Sequence, residues 1–330
     1  MKPHWQIQTP PPPNFDSVRG LAILLLVFYH VVGNSPTRGL HLPMDSWWHL
    51  WMDSMELIRM PVFTILSGYL YGMRRVSAAE FFAFAGKKLK RLGIPLIGLT
   101  GLTLVLRNWV YGITPDWSGA FFGSYEHFWF LQALLIVFVI VSFVDVFLLP
   151  GVMGIALWVI AAAIVSAFVP VHGPFSVGQA VYLLPFFIAG IWIHESKIVF
   201  QRERWAGLFV VAAVLLWVAH ALGVWGYWSP IERNSLLGTV AGVMTCIALL
   251  IFFPKINFFH RLGHYSYTIY LWHAMGLAAA RITAVAMGVE NLFVVFAVSA
   301  AGGLLGPVLL HVLIAQRPVL SVALLGVSKK

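Results

Sequence analysis

Apolar runs of about twenty residues alternate with short polar stretches along nearly the whole chain. A helix needs about 20 apolar residues to cross the hydrocarbon of a bilayer. The pattern therefore predicts ten membrane-spanning helices, over 17–34, 47–72, 92–111, 128–149, 151–169, 177–194, 205–223, 236–254, 264–286 and 291–316. Leu149-Pro150-Gly151 is a tight turn, which makes the fourth and fifth spans a helical hairpin. No repeat period is visible. No polar stretch is long enough to fold as a separate soluble domain. The chain divides into a Pro-rich tail, 1–16, one membrane domain, 17–316, and a short tail, 317–330.

Composition strengthens this reading. Of 330 residues, 60% are hydrophobic and 10% charged, far from a soluble average. The mean hydropathy is +0.86. A formal charge of +9 would suggest nucleic acid in a soluble protein, but here the basic residues cluster in alternate loops. With the N-terminus inside, the inner loops and tails hold 15 of the 21 Lys and Arg, and the outer loops only Arg38 and Arg233. The split puts both termini of a multi-pass membrane protein in the cytoplasm. The single cysteine, Cys246, rules out an internal disulfide and argues against a Cys metal site. Pro10 to Pro13 end an extended tail with no cleavage site behind the first apolar run, so that run is read as an uncleaved span.

Charged and imidazole groups inside these spans are costly and usually functional. Span one carries Asp16 and Arg19 at its foot and His30 near its far end. The eleven steps from Arg19 to His30 turn three times and rise about 16.5 Å, so both lie on one stripe at two depths. Asp16, three before Arg19, can pair with it. The plain alternative is a flanking arginine and a packing histidine. In span two, Asp53, Glu56 and Arg59 share a face and can pair with one another; at the depth of His30, either carboxylate could orient its imidazole. Ser77 to Glu80 reads as a capping box before Phe81, Phe82 and Phe84, then Lys87, Lys88, Lys90 and Arg91. That segment suits both an amphipathic helix on anionic lipid and a phosphate dock, with Lys88 and Arg91 one turn apart. Glu126-His127-Phe128-Trp129 opens span four as an aromatic belt or as a mouth for a sugar acceptor. Tyr270 and His273 lie one turn apart in span nine, where they serve interhelical hydrogen bonds or touch a bound substrate. The histidines lack the spacing of a metal motif.

These stretches together resemble the membrane acyltransferase-3 family. Asp16-x-x-Arg19-Gly20 with His30 is similar to its Arg-x10-His mark. Met60-Pro61-x-Phe63 through Ser67-Gly68-Tyr69, Lys88-x-x-Arg91, His127-x-Trp129-Phe130-Leu131 and Ser266-Tyr267-x-x-Tyr270-Leu271-x-His273 follow in the family's order. Lys88 departs from the arginine usual at that place. The resemblance implies an all-α membrane bundle that O-acylates, most often O-acetylates, surface or exported glycans from acyl-coenzyme A.

The expected site follows. Arg19, Lys88 and Arg91 dock the coenzyme A phosphates, Tyr270 and His273 meet its arm, and the arm rises through one tunnel beside span one. His30, in its neutral form, takes the acceptor's proton, oriented by Glu56 or Asp53; an acyl-histidine intermediate is the other route. Arg59, Glu126, His127 and Trp129 bind the acceptor. The expected partners are acyl-coenzyme A, a free or lipid-linked carbohydrate, membrane lipids and a polysaccharide synthesis or export complex; no metal and no nucleic acid are called for. Two other classes fit the same residues: a secondary transporter or flippase for a lipid-linked sugar, and a non-catalytic subunit of a polysaccharide synthesis complex.

Overall fold

A computed structural model describes residues 11–147, 152–170 and 173–325. Among them every regular element is helical. The helices are α1 (Phe15–Val32), α2 (Trp47–Asp53), α3 (Glu56–Gly72), α4 (Phe81–Lys88), α5 (Ile94–Tyr111), α6 (Trp117–Phe122), α7 (Trp129–Phe147), α8 (Val152–Phe168), α9 (Val177–Ser196), α10 (Arg202–Val224), α11 (Leu236–Phe252), α12 (Asn257–Ala286), α13 (Leu292–Ile314) and α14 (Pro318–Leu325). Among the described residues seven helical stretches are long and apolar enough to cross a membrane, and Ile155–Phe168 and Leu236–Phe252 are shorter apolar helices. The Leu149-Pro150-Gly151 turn lies outside the described residues. Trp109, Phe168, Leu215 and Leu313 are exposed on the perimeter, whereas Ile23, Leu131, Leu183 and Phe187 are fully enclosed. A bundle with apolar side chains both inside and outside is built for lipid.

Two expected spans take a different form. The run 47–72 is broken into α2 and α3 at Ser54 and Met55. Ser54 Oγ bonds back to Leu50 O at 2.7 Å, which competes with the helix ladder. The carbonyls left open there are taken by α10: Trp217 Nε1 donates to Ser54 O at 3.0 Å and His220 Nε2 to Asp53 O at 3.1 Å. Span three is longer than the run 92–111. Helix is continuous from Ala78 to Tyr111, with a π-helical turn at Leu89–Gly93 joining the basic segment to α5. At its start Ser77 and Glu80 form the expected capping box, with the Ser77 N–H donating to Glu80 Oε2 at 3.3 Å.

The helices that carry the chemistry approach through glycine. A Cβ on Gly20 of α1 would lie 1.9 Å from Phe259 O of α12, and one on Gly263 the same distance from Asp16 O. Gly68 of α3 and Gly190 of α9 meet backbone at 1.9 and 2.1 Å in the same sense. Small residues let membrane helices touch backbone to backbone, where dispersion is strongest. Asn14, buried at the foot of α1, shares its Nδ2 hydrogens among Leu249 O, Leu250 O and Phe253 O at the C-terminal end of α11. α1 is thereby fixed in height and rotation between α11 and α12.

Candidate active site: two stacked cavities and three imidazoles

Four helices, α1, α3, α7 and α12, run past two cavities stacked along the bundle. The larger, about 870 Å³, is lined by His30, Glu56, Arg59, Glu126, His127 and Tyr270 among others. The smaller, about 560 Å³, is lined by Arg19, Lys88, Arg91, Ser67, Phe138 and Tyr270 among others. The loops bearing Arg38 and Arg233 border the first, and the stretch bearing Lys87 and Lys88 borders the second. They face the two ends that the charge count sets apart as outer and inner.

Three imidazoles from distant parts of the chain meet at the larger cavity: His30 and His127 line it, and His273 packs behind them. The His30 ring centroid lies 4.9 Å from that of His273 and 6.0 Å from that of His127, and His127 and His273 are 4.7 Å apart. His273 is completely buried, with Nδ1 2.8 Å from Tyr270 O and 3.1 Å from Ile269 O. Carbonyls only accept, so the proton sits on Nδ1, and Nε2, which has no partner among the described residues, keeps its lone pair. His30 lines the cavity from the last turn of α1. Among the described residues no three His, Cys, Asp or Glu side chains are arranged to hold a metal ion.

The two carboxylates of the larger cavity form ion pairs. Glu126 is held in a left-handed conformation, φ 44°, at the entry to α7. There it accepts from Arg38 Nη1 at 2.7 Å and from Arg107 Nη1. A left-handed non-glycine residue is strained and persists where its surroundings demand it. Glu56 pairs with Arg233 at 3.2 Å. Arg59 is 6% exposed, its guanidinium 3.8 Å from the centre of the Tyr29 ring. Trp129 lines the same space, as do Gln179 and Ser124, joined by a 2.6 Å hydrogen bond from Gln179 Nε2.

Below lies the basic cavity. Arg19 pairs with Asp16, as the i, i+3 spacing predicts. Lys88 Nζ sits 3.5 Å from the centre of the Phe138 ring and 5.2 Å from that of Phe84. Arg91 lies 5.3 Å from the centre of the Tyr267 ring, and the Tyr267 hydroxyl donates to Arg91 O. The π-helical turn starts directly after Lys88 and contains Arg91; such turns widen the helix and frequently mark functional sites. Arg75 is drawn off to Asp145 and Glu195.

The single tunnel expected between Arg19 and His30 is interrupted. Tyr270 lines both cavities and is their common wall, its hydroxyl donating to His127 O. Phe130 packs against it with ring centroids 5.6 Å apart, and Phe63 stands 6.5 Å from Phe130. Aromatic rings thus form a septum at the level where Met60 gives way to Phe63 on α3 and Trp129 to Phe130 on α7.

The structure gathers His30, Glu56, Arg59, Glu126, His127, Trp129 and Tyr270 around one cavity and Arg19, Lys88 and Arg91 around the other. His273 stands behind the first, against His30. Asp53 lies outside both linings, at the end of α2. Neither Asp53 nor Glu56 makes a hydrogen bond with the His30 ring among the described residues; its ring neighbours are histidine and tyrosine. Sequence reasoning passed over Arg38, Arg107 and Arg233 as site residues. A signal was present: Arg38 and Arg233 are the two exceptions to the inner clustering of basic residues.

Comparison with known proteins identifies the family. The profile of a family described as "Acyltransferase domain" matches residues 13–312, nearly the whole chain. Glucans biosynthesis protein C of Shigella dysenteriae is 27% identical over 288 residues, covering 69% of this chain and 71% of that protein. The protein of the same name from Escherichia coli K12 is 26% identical over the same length. Nodulation protein NolL of Mesorhizobium japonicum is 26% identical over 238 residues, 68% of this chain and 59% of its own length. No solved structure matches. The matched profile spans α1 to α13 and so takes in all three imidazoles and both cavities: the chain belongs to the acyltransferase-3 family of membrane acyltransferases.

Proposed function

We propose that the protein moves an acyl group, acetyl in the simplest case, from cytoplasmic acyl-coenzyme A to a hydroxyl of a surface or exported carbohydrate, in the bacterial inner membrane. The observation that carries this is the stacking of a basic cavity under an imidazole-lined one, with Tyr270 as the wall of both. The relatives' names, which speak of glucans and nodulation, support a carbohydrate acceptor.

In this reading Arg19, Lys88 and Arg91 hold the phosphates of the donor. Arginine suits bidentate phosphate binding and lysine supplies a compact charge. The pantetheine arm runs up beside α1, where the rise from Arg19 to His30 is about 16.5 Å. Passage of the acyl end requires the Tyr270 and Phe130 rings to move aside. A ring nitrogen of His30 takes the proton as the acceptor oxygen attacks the thioester carbonyl. The C–S bond then breaks, and the imidazolium returns the proton to the leaving thiolate. His273 and His127 fix the His30 ring by contact, a task that helix spacing alone gives to Glu56 or Asp53. Gln179, Ser124 and Trp129 offer hydrogen bonds and an aromatic face to a sugar.

The test is transfer from radiolabelled acetyl-coenzyme A to membrane glycan. His30→Ala is expected to lower transfer at least about 100-fold, the usual worth of a general base, with an unchanged thermal melt in detergent. Full turnover in that variant would remove His30 from the chemistry. Arg19→Ala is expected to weaken coenzyme A binding about tenfold in a titration; unchanged affinity would move the phosphate site elsewhere.

A further inference from the structure

The larger cavity carries an unbalanced charge. Arg38, Arg59, Arg107 and Arg233 line it, against the two carboxylates Glu56 and Glu126, which leaves +2. Asp53, outside the lining at the end of α2, reduces the local excess to +1 if it is counted. The arginines are not equivalent. Glu126 satisfies Arg38 and Arg107, and Glu56 satisfies Arg233. Arg59 has no ion pair among the described residues, and its Nη1 is buried without a hydrogen-bond partner.

A guanidinium removed from water is costly unless a charge and hydrogen bonds compensate it. The face of Tyr29 accounts for one side of Arg59 only. Neutral sugar hydroxyls would be served by Gln179, Ser124 and Trp129; they do not call for four guanidinium groups. The donor's phosphates do not explain them either, because the septum and the basic cavity lie between. Resting on the reading above, we infer that the acceptor carries a fixed negative charge, a carboxylate or phosphate on the saccharide, close to the hydroxyl that is acylated. Arg59 takes that anion beside His30, while Arg38, Arg107 and Arg233 draw it in from the mouth. Glu56 and Glu126 hold the mouth arginines in place and temper their field, so that product leaves.

The inference fixes which sugars are good acceptors. The purified full-length protein in detergent is titrated with trigalacturonate and with its fully methyl-esterified form, which keeps the shape and removes the charge. Glucose 6-phosphate against glucose is the phosphate arm. Coenzyme A binding in the same preparation reports separately on the donor site and on the reading beneath. The charged member is expected to bind about tenfold or more tightly in at least one pair, with the preference falling as salt is raised. Arg59→Gln should abolish the preference. Where that buried variant does not fold, Arg38→Gln at the exposed rim should reduce it. Equal binding of charged and neutral members in both pairs, with coenzyme A still bound, overturns the inference and leaves the acyltransferase reading standing. A preference that survives in the arginine variants also overturns it. Equal or stronger dependence on the charge of the acyl donor would move the anion to the donor and count against it.

Discussion

At the scale of single residues, His273 shows how the environment decides a role that residue type leaves open. Its Nδ1 is committed to the carbonyls of Tyr270 and Ile269, one turn back on its own helix. The remaining Nε2 keeps its lone pair without a partner among the described residues, on a ring 4.9 Å from that of His30 and 4.7 Å from that of His127. Exchange for glutamine keeps polarity but loses this fixed lone pair. His273→Gln is therefore expected to lower kcat about tenfold or more while leaving KM for acetyl-coenzyme A within about twofold; an unaltered kcat would leave His273 a packing residue. Tyr270 invites a similar test. Tyr270→Phe keeps the ring of the septum and removes the donor to His127 O. Arg19, His30, His127, Tyr270 and His273 were each legible in the sequence as ionisable or polar groups inside apolar runs. Their meeting was not, because 143 residues separate Tyr270 from the carbonyl it binds and no local period encodes such a contact. The same limit hid Arg107, which reads as a span-edge arginine until Glu126 is seen against it.

At the scale of elements, α1 is the helix whose placement matters most, since Arg19 and His30 both depend on its rotation. Two contacts hold it. Gly20 and Gly263 allow α1 and α12 to touch at backbone distance. Gly20→Ala puts a carbon where Phe259 O now sits, and the helices must part; a cost of about 1–3 kcal/mol follows from such overpacking. The check is a thermal melt in detergent, and a neutral Gly20→Ala would refute the close approach. Asn14→Ala leaves the end carbonyls of α11 without its amide and is expected to cost about 1–3 kcal/mol. Apolar run length predicted the positions of most helices to within a few residues. It missed the break at Ser54, because the side chains that stabilise the break, Trp217 and His220, lie on α10. It also separated the basic segment from the third span, because Lys87 to Arg91 interrupt the apolar run while the backbone passes through as a π-helical turn.

At the scale of the whole molecule, the two cavities give each end of the bundle its own chemistry. One end is basic and suited to a phosphate-bearing donor; the other holds the imidazoles and the polar groups suited to a sugar. By the positive-inside rule, the clustering of lysine and arginine is expected to put the first end at the cytoplasm. That orientation is open to labelling, and Cys246, fully buried, gives no background. Thr37→Cys is expected to react with a membrane-impermeant maleimide on intact spheroplasts, and Ala79→Cys only after permeabilisation. The opposite pattern would invert the account. The septum of Tyr270, Phe130 and Phe63 explains how a membrane enzyme could keep the cytoplasm and the acceptor side apart between turnovers. The central claim is that both cavities serve a single reacting complex. Its most direct measurement is a cryo-electron-microscopy structure with a non-hydrolysable thioether analogue of acetyl-coenzyme A. Density is expected for the nucleotide against Arg19, Lys88 and Arg91, with the arm passing a displaced Tyr270 and its acyl carbon within reach of His30. A nucleotide bound elsewhere, or an arm directed away from His30, would contradict it.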